Sequence, residues 1–287
     1  MGNTLKGSWI TESSDVYPFV LKWLQDDYSC HSLATSIRCV GEEKIANAVE
    51  SLLNVGHTLL QGILDKDGKV IRERYEKLSA FILYHWDGTF TLRRSLINAL
   101  CNFYNVAFVL LRCSMDMLFQ GLLFQCLSQE KYRKSAELDK ILSQTDEEKI
   151  KELKRLINGL KKILDNNPKE SSHLERTSVY IFDVLELIHQ PRPEIRPTYK
   201  LLAKWRLFDP IKRPEKIIAK LYGKLSFNAH EHISTTDVGR AILEGAEIFG
   251  VPQPFLKTSV EEYLGAFHDI VNLWITSERN LLNYMLK

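Results

Sequence analysis

The sequence predicts an all-α fold, an antiparallel helical bundle around one long central apolar helix, and three observations carry that expectation. Apolar residues recur at three- and four-residue spacing from end to end. No run of alternating residues is long enough for a convincing strand. The stretch from Leu96 to Leu127 holds 32 residues with only two charges, too apolar for a surface helix. At 100° per residue its polar side chains, Asn98, Asn102, Asn105, Arg112, Asp116 and Gln120, share a sector of about 80°. Such a helix, roughly 48 Å long if unbroken, is expected inside the protein with one polar edge that meets partners rather than bulk water.

The other elements follow in order. Val16 to Gln25 starts a helix after the cap candidates Ser13, Ser14 and Asp15. Glu43 to Leu64 places Ile45, Val49, Leu52, Leu53, Leu59, Leu60 and Ile63 mostly at helical spacing, and Asp65-Lys66-Asp67-Gly68 turns the chain. Lys69 to Trp86 repeats the form, and Asp87-Gly88-Thr89 is expected to break it before the apolar helix begins. Thr145-Asp146-Glu147-Glu148 reads as a capping box that launches a lysine-rich helix to about Leu164, with one apolar stripe and a charged outer face. His173 to Ile188 forms the next helix. The proline-rich run 190–197 is expected to be a rigid loop, because proline lacks a backbone donor and disfavours helix in the residue before it. Short helices near Tyr199 to Leu207 and from Pro214 to about Ala229 follow. Ser234-Thr235-Thr236-Asp237 caps one that reaches Phe249, and Phe255 to Met285 closes the chain. Two regions are expected, 1–90 packing on the core and 91–287 as the main bundle, unless the two form one continuous domain.

Composition bounds the function. The 287 residues are 45% hydrophobic, enough for a sizeable core, and 38 basic against 36 acidic side chains leave a net charge of +2, with no strong polyanion-binding footprint. Cysteines 30, 39, 101, 113 and 126 are odd in number and contain no C-x-x-C, which argues against a disulfide framework or a thiolate zinc site. Three of them fall in the apolar helix and read as small core residues of a reducing compartment. The N-terminus carries neither a signal-peptide pattern nor a myristoylation motif. In lipid, Arg112 and Asp116 in the middle of the only long apolar span would cost several kcal/mol. A cytoplasmic protein that neither spans nor binds a membrane is the expectation.

Two polar rows could carry chemistry. Arg112 and Asp116, four residues apart, are placed to pair within the helix, or to line a pocket with Arg112 as an anion fork. Tyr222, Ser226 and His230 share a second face if their helix runs to its end, and the first row is its expected partner. The two rows form either a satisfied interhelical network or a binding site, with His230 a candidate acid or base near neutral pH. His230-Glu231-His232 invites a metal, but ligands at i and i+2 point about 160° apart on a helix, so no metal site and no cofactor is expected. Phosphate-loop, dinucleotide and nucleophile-elbow motifs are all missing.

The segments Leu110-Leu111-Arg112-x-x-x-Asp116 and Leu221-Tyr222-x-x-Leu225-Ser226-x-x-x-His230 resemble the "LLR-x3-E" and "Y-x-x-LS-x-x-x-H" helices of proteins related to the HEPN superfamily. Roughly Leu92 to Met285 is covered, as two short motifs in the expected order. The resemblance implies an α-helical bundle, often dimeric, of prokaryotic defence, toxin and RNA-processing settings, with Arg112, Asp116, Tyr222, Ser226 and His230 as the shared polar positions. Active ribonucleases of that superfamily carry R-x4-6-H on one helix, and none of the eight histidines here has an arginine so placed. The expected function is therefore a non-enzymatic interaction or ligand-sensing module, with a protein partner or a second copy of itself. The alternative is a metal-independent ribonuclease using Arg112 and His230 on RNA.

Overall fold

A computed structural model describes residues 30–143, 147–188, 193–229, 233–245 and 254–286. Within them the chain forms fourteen α-helices and no strand. In order these are α1 (Cys30–Val40), α2 (Glu42–Ile63), α3 (Arg72–Lys77), α4 (Ser79–Leu100), α5 (Tyr104–Leu127), α6 (Glu130–Arg133), α7 (Ala136–Leu142) and α8 (Glu147–Asp165). They are followed by α9 (Pro168–Arg176), α10 (Ile181–Ile188), α11 (Ile195–Lys204), α12 (Pro214–Ala229), α13 (Asp237–Leu243) and α14 (Lys257–Met285). The expected helix over Val16 to Gln25 lies outside the described residues, as do Thr145 and Asp146 of the expected capping box and Phe249.

The long apolar stretch is not one helix. It breaks at Cys101–Phe103, where Asn102 takes a left-handed φ of 69°, a conformation asparagine tolerates better than most residues. The Asn102 amide donates to Ala99 O at 3.1 Å and the Phe103 amide to Asn98 O at 2.9 Å, the paired bonds of a Schellman C-cap. Beyond it α5 folds back on α4, and Ser95 Oγ donates to Ala107 O at 2.7 Å across the hairpin. The expected break at Asp87-Gly88-Thr89 does not occur, and these residues lie inside α4. Gly88 is there to leave room rather than to turn the chain: the indole of Trp274 packs against its bare Cα, where a Cβ would overlap ring carbons.

α5 is the central helix. It packs on α4, α11, α12 and α14, and sixteen of its 24 residues are buried. By length and composition it could cross a membrane; here other helices cover most of it. Both ends are capped by charged side chains, one remote in the chain and one from the next short helix. Asp237 accepts from the Asn105 amide at 2.9 Å at the N-terminus, and buried Arg133 donates to Leu127 O and Ser128 O, each at 2.8 Å, at the C-terminus. Each charge opposes the partial charge of the helix end it meets.

Other boundaries shift for local reasons. The expected helix His173 to Ile188 is split at Thr177 into α9 and α10, with Ser178 Oγ drawn into the core to accept from the Ala80 amide at 2.8 Å. The proline-rich run is shorter as a loop than expected, because Pro197 sits in the first turn of α11, where its missing N–H has no helical partner to lose. Residue 90 falls within α4, and one contiguous cluster of buried apolar side chains extends from Ile45 to Met285.

Candidate functional site

One residue of each polar row meets the other where α12 crosses α5. Arg112 Nη2 donates to the Tyr222 hydroxyl at 3.0 Å, and its guanidinium carbon lies 5.0 Å from the Tyr222 ring centroid, so one side chain serves as acceptor and as π-face. The expected intrahelical ion pair between Arg112 and Asp116 is absent, because Arg112 reaches across to α12 instead. Its charge still lowers the Asp116 pKa, but burial outweighs it and pushes the carboxyl up to about 6.

Ser226, one turn after Tyr222, does not extend the contact, and its Oγ is out of solvent with no hydrogen-bond partner. His230 lies outside the described residues. Of the other polar residues on the apolar stretch, Asn102 serves the helix break, accepting from Tyr104 Oη at 3.0 Å and Ser36 Oγ at 3.3 Å. Asn98 turns back to Arg94 O.

Beside the Arg112–Tyr222 contact, a cleft of about 550 Å³ opens between α5, α11 and α12, lined by Cys113, Asp116, Met117 and Gln120 of α5, by Tyr222 of α12, and by Pro193, Glu194, Ile195 and Arg196 at the start of α11. Gln120 is buried, and its Nε2 donates to Pro193 O at 3.1 Å. That bond orients the amide and leaves Oε1 without a donor; Asp116 Oδ1 is likewise unpartnered. Two neighbouring acceptors, one turn apart on α5, are thus unmet and out of solvent on residues that line the cleft. An unmet buried acceptor costs on the order of 1–3 kcal/mol, so two together call for a donor. Cys113, expected as core, is exposed.

A second titratable pair is sealed in the core. His85 Nδ1 and Glu278 Oε1 approach to 2.6 Å with both side chains fully buried, edge-on to Trp274 at 5.6 Å and Trp86 at 5.2 Å. Neither Nδ1 nor either carboxyl oxygen has a well-formed hydrogen bond. Burial drives both toward neutrality, the imidazole down to about 3 and the carboxyl well above its usual range. This is a contact of neutral groups rather than an ion pair. Buried Arg240, by contrast, is well supplied, with bonds to Asn228 Oδ1, Thr235 O and Ser259 Oγ, and it stacks 4.9 Å from the Phe108 centroid.

Neither His85, Glu278 nor Arg240 stands out in the sequence, since their partners are remote in the chain. Gln120 was visible in the polar row; Pro193 was not. Among the described residues no group of three or more His, Cys, Asp or Glu side chains converges as a metal site would require. No protein-family model, curated protein or solved structure matches the chain.

Proposed function

We propose that this protein is a ligand-binding helical module that uses the cleft between α5, α11 and α12 without making or breaking bonds. Its ligand is a small molecule with a cationic or amide N–H head and a short apolar body. One observation carries the reading: Asp116 and Gln120 both line the cleft, beside Glu194 and Arg196 at its α11 edge, and each holds an acceptor oxygen that is out of solvent and has no donor. Net acceptors call for a donor, and a carboxylate among them favours a positive one. An anion held by Arg112, the sequence-based expectation, is disfavoured because that guanidinium is already held by the hydroxyl and ring of Tyr222. The same engagement weighs against the ribonuclease reading, which needs Arg112 free for a phosphate.

Thermal-shift measurements on the full chain with butylammonium, putrescine and agmatine, set against acetate and phosphate, test the proposal. Saturable stabilisation by the amines, lost in Asp116→Asn and in Gln120→Leu, supports it. Stabilisation by phosphate alone, or metal-free RNA cleavage lost in His230→Ala, overturns it.

A further inference from the structure

Helix α4 is buried on three sides, yet its fourth side is apolar. Only seven of its positions are exposed, 83, 86, 87, 90, 93, 94 and 97, the a, d and e pattern of a seven-residue repeat. Four of them are large hydrophobics: Leu83 at 51%, Trp86 at 37%, Phe90 at 53% and Ile97 at 45% exposure. At 100° per residue these four fall within about 60°, a continuous stripe rather than scattered side chains. A surface helix normally shows water its polar face, and here charges only border the stripe. Arg93 lies on one flank, Asp87 and Arg94 on the other.

We propose that this stripe is a self-association surface, on which α4 of a second copy of the chain packs antiparallel about a two-fold axis beside Phe90. The charge pattern selects that occupant. An antiparallel two-fold brings the same flank of each helix together and sets residues at nearly equal distances on either side of the axis opposite each other. Phe90 then meets itself and Leu83 meets the second copy's Ile97. Asp87 faces the second copy's Arg94, twice over by symmetry. On the other flank, Arg93 comes over the second copy's Trp86 ring, a cation–π geometry. In a parallel, in-register pairing opposite flanks meet instead, so Arg94 would face the second copy's Arg93, twice over by symmetry, and Asp87 would lose its arginine partner; like charges oppose it. A single helix pair about 33 Å long makes a modest interface, so dissociation in the micromolar range is expected.

Sedimentation velocity of the full chain from about 1 to about 100 µM spans that range. A concentration-dependent dimer is expected. Phe90→Glu should abolish it while leaving the melting temperature near wild type, since the side chain is exposed. Asp87→Arg and Arg94→Asp should each weaken association about tenfold, and the double exchange should restore it. A benzophenone amino acid in place of Phe90 should, on illumination, give a covalent dimer joined α4 to α4. A monomer at every concentration, a dimer indifferent to Phe90→Glu, failure of the double exchange to restore pairing, or photo-cross-linking from position 90 into residues 1–29 of its own chain would each overturn the proposal.

Discussion

Arg112 on α5 and Tyr222 on α12 hold each other twice, by a 3.0 Å hydrogen bond to the hydroxyl and by a guanidinium 5.0 Å from the ring centroid. The contact joins α5 to α12, and its Tyr222 lines the cleft. It also takes Arg112 away from Asp116, whose carboxylate is then left to face whatever enters.

Separating the two halves of that joint is simple. Tyr222→Phe keeps the ring and removes the acceptor, so a loss of about 1 kcal/mol in urea unfolding is expected. Tyr222→Ala removes both and should cost about 1–2 kcal/mol more, through lost packing and the cation–π contact. Equal losses in the two variants would mean the ring contributes nothing.

Asp116 should set a pH dependence. Burial raises its carboxyl to about 6, against about 3.9 in an unfolded chain, so the fold keeps a proton that the unfolded chain has released. Its contribution is most favourable below about pH 4 and declines as pH rises through 6. Asp116→Asn removes the ionisation and is expected to be stabilised by about 1 kcal/mol at pH 7, after allowance for solvent screening at a half-buried site. Urea melts at about pH 4 and about pH 7 measure this; a variant with the same pH slope as wild type would assign the slope to other groups.

Gly88→Ala tests the packing under α4. The added methyl has no room beside Trp274, which is itself held by a 3.2 Å bond from Nε1 to Ser114 Oγ. Despite a helix-propensity gain of about 1 kcal/mol, a net loss of about 1–3 kcal/mol is expected from overpacking. Thermal melting reads it, and a stabilised variant would mean the indole moves freely.

Glu278→Gln addresses the sealed pair. The raised carboxyl keeps its proton in the fold above pH 4.5, where the unfolded chain loses it, so its contribution weakens as pH climbs toward the folded value. The depressed imidazole acts on the other side, losing stability as pH falls below about 6.5 toward 3. Glutamine abolishes only the first effect. Glu278→Gln should therefore melt close to wild type near pH 5 and above it near pH 8; a lower melting temperature at both would show that the acid proton makes an essential bond.

The all-α class was legible because helical periodicity is a local property, and so was the spacing of Arg112, Asp116 and Gln120 along one edge of α5. The break between α4 and α5 was misplaced for a physical reason. Asp87-Gly88-Thr89 has turn composition, but Gly88 is required by Trp274, 186 positions away. The real turn uses Asn102, a weak signal among apolar neighbours. Arg112 and Asp116 looked like partners because intrahelical spacing is visible in sequence. The competing hydroxyl on α12 is a tertiary fact, and so is the meeting of His85 with Glu278.

Calorimetric titration of the full chain with butylammonium between about pH 5 and about pH 8 tests the central claim most directly. The account expects affinity to rise by about tenfold per pH unit below 6, as Asp116 ionises, and to level off above it, with no binding by Asp116→Asn. Binding that ignores pH, or that survives in Asp116→Asn, would contradict it.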